Sequence, residues 1–105
     1  LTGLPVQRVF QMRFVESLAG CARHTRPMAV FMMDMDGLKR INDTHGHLMG
    51  GHVIGTVGRR LGGIVHAARG VISRFGGDEF SAFVPGLDRE QGLQLGERLR
   101  AAVGQ

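Results

Sequence analysis

The 105-residue sequence predicts an α+β domain with a β-α-β-β-α core and an antiparallel hairpin. Three patterns carry that expectation. A continuous apolar run, Met28–Met33, ends in acid at Asp34 and Asp36 and is bracketed by Pro27 and Gly37, which reads as a strand buried on both faces. Two runs of β-branched and aromatic residues, Val71–Phe75 and Phe80–Val84, flank Gly76-Gly77; a Gly-Gly pair between such runs favours a tight hairpin with positive φ at the turn. Apolar residues recur at helical spacing in the remaining long segments.

Taken in order, the segment from about Gln7 to Arg23 sets Val9, Phe10, Phe14, Leu18 and Cys21 at near-helical spacing, giving an amphipathic helix that ends near Gly20 or His24. The apolar strand follows, then a short helical turn over Leu38 to Asp43. From about Leu48 to Ala68 a longer helix carries Val53, Ile54, Val57, Leu61, Ile64 and Val65. Gly55, Gly58, Gly62 and Gly63 lie inside it, each costing ~1 kcal/mol relative to alanine, so tertiary packing must hold this helix. After the hairpin, Asp88 is suited to N-cap a last helix with Leu93, Leu95, Leu99 and Val103. The series matches the first five elements of a ferredoxin-like arrangement, whose final strand, pairing beside the first, is expected to be missing here.

Length allows one domain, residues 1–105. A hydrophobic content of 43% with no apolar run near the roughly 20 residues of a bilayer span predicts no membrane contact by this segment. The single cysteine, Cys21, excludes an internal disulfide and reads as a helix packing residue. Net charge is +4, and Lys39 is the only lysine among 13 basic residues; arginine suits phosphate and carboxylate partners. With no Tyr or Trp, and no paired stacking aromatics on a strand, a nucleic-acid-binding reading is set aside.

The chemistry concentrates at two places. Asp78 and Glu79 follow a bend whose glycines let a ligand approach closely. Asp34 and Asp36, at the end of the apolar strand, are spaced to share a face. Hard oxygen donors suit Mg²⁺, which one or two protein carboxylates suffice to hold, so Asp34 with Asp78 would serve. Each feature alone has a plainer reading: the turn as a solvated hairpin corner, the Asp-x-Asp pair as ordinary strand-end acids.

Together these blocks resemble the GGDEF domain, the catalytic module of bacterial diguanylate cyclases. Gly76-Gly77-Asp78-Glu79-Phe80 matches the family's defining motif letter for letter. Asp34-Met35-Asp36-Gly37-Leu38-Lys39-Arg40-Ile41-Asn42-Asp43-Thr44-His45-Gly46-His47-Leu48-Met49-Gly50 is close to D-x-D-x-F-K-x-I-N-D-x-x-G-H-x-x-G, and Leu1-Thr2-Gly3-Leu4-Pro5 resembles the L-T-G-L-x-N-R opening. The resemblance implies the nucleotidyl-cyclase palm fold and, for intact relatives, condensation of two GTP into cyclic di-GMP and two pyrophosphates. It further implies Mg²⁺, with Mn²⁺ as a substitute, held by Asp34, the Met35 backbone carbonyl and Asp78, with Glu79 at the metal or helping to deprotonate the attacking hydroxyl. Substrate contacts are implied at Leu38, Lys39, Asn42, Gly76 and Gly77, with Asn42 on the guanine edge. Catalysis would need a homodimer, since each centre binds one GTP. A cytoplasmic setting is expected, with sensory or phosphodiesterase domains elsewhere in a longer parent chain. The sequence opens without Met inside the first motif and stops before the family's last strand and helix, so the 105-residue piece itself is expected to be inactive.

Departures from the pattern bear on activity. Gly51 stands where the family has an aspartate that reads guanine with Asn42, and Gly37-Leu38 where bulky aromatics are usual. Ala67 and Gly70 occupy the positions of the arginine and aspartate of the product-inhibition motif, so no inhibitory site is expected. Gly51 keeps a second reading open, a degenerate GTP-binding or regulatory module. His45, His47 and His52 cluster without a cysteine or a third ligand type, which argues against zinc, and the six methionines read as core filling.

Overall fold

The structure, a computed structural model, describes residues 7–34, 47–75 and 79–103. Its elements run α1 (Gln7–Arg23), β1 (Met28–Asp34), α2 (His47–Ala67), β2 (Val71–Arg74), β3 (Glu79–Pro85) and α3 (Arg89–Val103). The expected β-α-β-β-α order is present, and the expected turn over Leu38 to Asp43 lies outside the described residues. The three strands form one antiparallel sheet in the order β1-β3-β2.

Strand alternation divides the side chains between two faces. Phe31 and Met33 of β1, Phe80, Ala82 and Val84 of β3, and Ile72 of β2 meet Val57, Leu61 and Val65 of α2 and Leu95, Leu99 and Ala102 of α3. The i, i+4, i+8 set of α2 holds that helix against the sheet despite its glycines, as the poor local propensity requires. On the other face α1 crosses β2 and β3. Its Phe10 ring meets those of Phe75 and Phe83 edge-on, each at 5.2 Å between centroids, and Phe14 meets Phe83 at 5.3 Å. The burial stripe of α1 runs through Phe10, Phe14 and Cys21, whereas Val9 and Leu18, placed on it by spacing, are exposed. The Cys21 thiol points to the Pro27 carbonyl at 3.6 Å, consistent with a packing role.

One expectation is corrected. β1 is not buried on both faces, for Val30 is 57% and Met32 83% exposed. An unbroken apolar run cannot distinguish a central strand from one at the rim of a sheet. β1 lies at that rim among the described residues, and α1 covers its neighbours rather than β1 itself. The parity of its ladder is fixed by the Gly86 N–H, which donates to the Pro27 carbonyl at 2.8 Å. Residues alternate in the side to which they turn their amides, so Ala29, Phe31 and Met33 bond β3 and Met28, Val30, Met32 and Asp34 face outward.

Helix ends follow local chemistry. The Gln91 N–H donates to Asp88 Oδ1 (2.8 Å) and the Asp88 N–H to Gln91 Oε1 (3.0 Å), a reciprocal cap at the start of α3. At the end of α2 the Gly70 N–H reaches the Val65 carbonyl (2.9 Å) across Arg69, which has φ 66°. A Cβ at Gly70 would stand 2.5 Å from both the Phe83 carbonyl oxygen and a Val84 methyl, so a side chain here would force this strand–helix contact to shift. Gly63, on the solvent side of α2, has open space instead. Gly70→Ala should therefore lower unfolding stability by ~2 kcal/mol and Gly63→Ala raise it by ~1 kcal/mol, a contrast that urea titrations of the two variants would read directly.

Candidate functional site

Asp34 closes β1 and Glu79 opens β3, and the register places them directly opposite each other. Both are exposed. The Phe75 N–H donates to the Glu79 carbonyl at 2.8 Å, turning the main-chain groups of Glu79 toward β2, while those of Asp34 face the outer edge. The two residues thus form a non-hydrogen-bonded pair, the kind in which opposing side chains come closest, ~4.5–5.5 Å between Cβ atoms. Like charges so placed repel one another unless a cation lies between them. Phe80, the next residue, is buried on the far face and locks the phase of the strand that presents Glu79.

Asp34 and Glu79 line a cleft of about 150 Å³ with Met32 and Ser81. Beside it, under α1, lies an apolar cavity of about 250 Å³ walled by Phe10, Phe14, Phe75 and Val30, and again by Met32 and Ser81. A larger groove of about 590 Å³ lies between the N-terminal half of β1 and α3, lined by Ala29, Phe31, Gly92 and Leu93, and contains neither site carboxylate. Among the described residues no three of His, Cys, Asp and Glu gather at one point. A facing carboxylate pair nonetheless fits the donor requirement of Mg²⁺, which takes one or two protein carboxylates and completes its octahedron with water and phosphate oxygens.

Of the residues expected at the site, the structure brings Asp34 and Glu79 together. Met35, Leu38, Lys39, Asn42, Gly76, Gly77 and Asp78 lie outside the described residues. Gly51 falls near the start of α2 and has no side chain to offer a base. At Gly70, where the resemblance expects an aspartate, a Cβ would meet the Phe83 carbonyl oxygen and a Val84 methyl at 2.5 Å. Met32, read in the sequence as core filling, is instead 83% exposed on the face of Asp34, and Ser81, which alternation two residues from Glu79 places on that face, went unread.

The family model described as Diguanylate cyclase, GGDEF domain, matches residues 1–105. Among curated relatives, the diguanylate cyclase DgcP of Pseudomonas aeruginosa is 39% identical over 103 residues, covering 98% of this chain and 15% of that protein. The cyclic di-GMP phosphodiesterase NbdA of the same organism is 33% identical over 99 residues, covering 94% of this chain and 12% of that protein. Among solved structures, the GGDEF domain alone of YfiN (TpbB) from Pseudomonas aeruginosa superposes with a TM-score of 0.91 at 28% identity, over 99% of this chain and 60% of that one. The chain thus spans a small part of its curated relatives. If the facing carboxylates repel, Asp34→Asn and Glu79→Gln should each raise the melting temperature of the metal-free chain at low ionic strength, and the gain should shrink in 1 M salt; scanning calorimetry at two salt concentrations checks this.

Proposed function

The chain belongs to the GGDEF domain family, and from that premise we propose that it serves a diguanylate cyclase, condensing two GTP into cyclic di-GMP with release of two pyrophosphates. The observation that carries the reading is the cross-strand pair of Asp34 and Glu79 at one end of the sheet, in a chain whose family model spans every residue.

In this reading Asp34, the Met35 backbone carbonyl and Asp78 hold Mg²⁺, or Mn²⁺ in its place. The bound ion supplies positive charge against the triphosphate and the departing pyrophosphate. Gly76 and Gly77 allow the nucleotide to lie close to the turn, Leu38 and Lys39 adjoin it, and Asn42 hydrogen-bonds the guanine edge. Glu79 accepts the proton of the 3′-hydroxyl of one GTP as that oxygen bonds the α-phosphorus of the other, and the bond from that phosphorus to the pyrophosphate oxygen breaks. The step occurs twice, once in each direction. Each domain presents one nucleotide, so two copies must face one another about a twofold axis, and most of the acceleration comes from that positioning. Since the substrate is a nucleoside triphosphate, the domain works in the cytoplasm, beside whatever sensory or phosphodiesterase domains the longer protein carries.

Gly51 favours a second reading. Without a side chain beside Asn42, guanine loses one hydrogen-bond partner, a loss of ~1–3 kcal/mol, and the domain acts by binding GTP or by regulating a neighbouring domain. The similarity to a protein named for phosphodiesterase activity supports that alternative.

Incubation of the full-length protein with GTP and Mg²⁺ should yield cyclic di-GMP by chromatography, and Asp78→Ala or Glu79→Ala should lower turnover at least ~100-fold. The 105-residue chain on its own should give no product. GTP binding without product by the full-length wild type would replace the cyclase reading with the regulatory one.

A further inference from the structure

We propose that Ser81 is a positioning residue of this site, its hydroxyl accepting a hydrogen bond from a water on the divalent cation that Asp34 holds. The inference rests on the cation reading given above and assigns a role to a residue outside the motif.

Ser81 is only 9% exposed, yet its side chain makes no hydrogen bond to any group among the described residues. Ser73, its cross-strand neighbour on β2, is fully buried and does have a partner. Buried hydroxyls are paired as a rule, because an unpaired one forgoes the bonds that water gave it. The position of Ser81 indicates what should pair with it. It lies two residues beyond Glu79 on β3, on the same face, and its register partner on β1 is Met32, two residues before Asp34. Ser81 is therefore the diagonal neighbour of Asp34, and its side chain lines both the carboxylate cleft and the apolar cavity beneath α1.

Diagonal neighbours on an antiparallel pair are ~7–8 Å apart. No direct hydrogen bond joins Ser81 to Asp34 among the described residues. A bent path of carboxylate oxygen, cation, water and hydroxyl, with ordinary Mg–O and O–H···O lengths, fits between side chains carried by neighbours so spaced. Mg²⁺ keeps several of its waters, each a strengthened donor in need of an acceptor. The cavity beside Ser81 is lined by Met32, Val30, the rings of Phe10, Phe14 and Phe75, and Gln11, and Ser73 lies across from Ser81 on β2; of these polar residues only Ser81 also lines the carboxylate cleft. Ser81 is the hydroxyl that lines both the carboxylate cleft and the cavity beside it, placed to fix one water and so the orientation of the ion's remaining positions.

The test uses Mn²⁺ as the probe, its free concentration read by electron paramagnetic resonance, with the 105-residue chain and its Ser81→Ala, Ser81→Thr and Asp34→Asn variants. Ser81→Ala should weaken Mn²⁺ binding about tenfold, the loss typical of removing a group that orients a metal's ligands. It should leave the melting temperature of the metal-free chain unchanged or higher, because the orphaned hydroxyl is gone. Ser81→Thr, which keeps the hydroxyl, should bind as the wild type does. Unchanged affinity in Ser81→Ala, or a lowered metal-free melting temperature, overturns the assignment. If Asp34→Asn abolishes binding while Ser81→Ala does not, the cation reading stands and the role of Ser81 falls. A wild-type chain that binds no Mn²⁺ overturns both.

Discussion

The register between β1 and β3 is the constraint on which the rest depends. Because side chains alternate along a strand, a slip of one residue would move Asp34 to the face occupied by α2 and α3 and send Phe31 and Met33 into solvent. The buried rings and methyls on one side of the sheet thereby hold the acidic pair on the other. Phe80 and Met33, directly opposite each other, fix the phase, and Glu79 and Asp34 inherit their positions from it. The apolar core thus does part of the work of the site without touching it.

Much of this was legible in the residues. The start of α3 was announced by Asp88, whose carboxylate and Gln91 satisfy each other's orphan amides, and the hairpin by two runs of strand-forming residues around a glycine pair. What could not be read was which neighbours each strand would acquire. The run Met28–Met33 carries no mark separating a strand flanked on both sides from one flanked on one, so the exposure of Val30 and Met32 became visible only with the sheet order. Helical spacing likewise defined a broad apolar arc on α1 but not its centre. The choice of Phe10 and Phe14 over Val9 and Leu18 was made by the rings of Phe75 and Phe83, far away in sequence. Ser81 was passed over because a small hydroxyl among apolar residues has meaning only once its burial and its missing partner are known.

Gly51 and Gly70 show how the same residue type can stand for opposite things. At Gly70 the β3 backbone and a Val84 methyl of this chain stand where a Cβ would go, so a side chain there would force them to shift. At Gly51, near the start of α2, the resemblance leads one to expect a carboxylate. A motif-level comparison scores both as departures. Geometry ties the first to the packing of α2 against β3 in this chain, and it says nothing of the second.

The bond from the Gly86 amide to the Pro27 carbonyl has a consequence beyond the ladder it begins. It turns the main-chain groups of four residues of β1 away from the sheet, along a seven-residue margin that holds no lysine and no internal proline. Proteins that keep a sheet from growing blunt such margins with charge, proline or a bulge, and here the only charge, Asp34, comes at the very end. β2, with four residues, offers a much shorter template at the opposite margin. Any strand added to this sheet therefore has a preferred side on which to enter, and an incoming chain there would shield Val30 and Met32 while leaving the acidic end open.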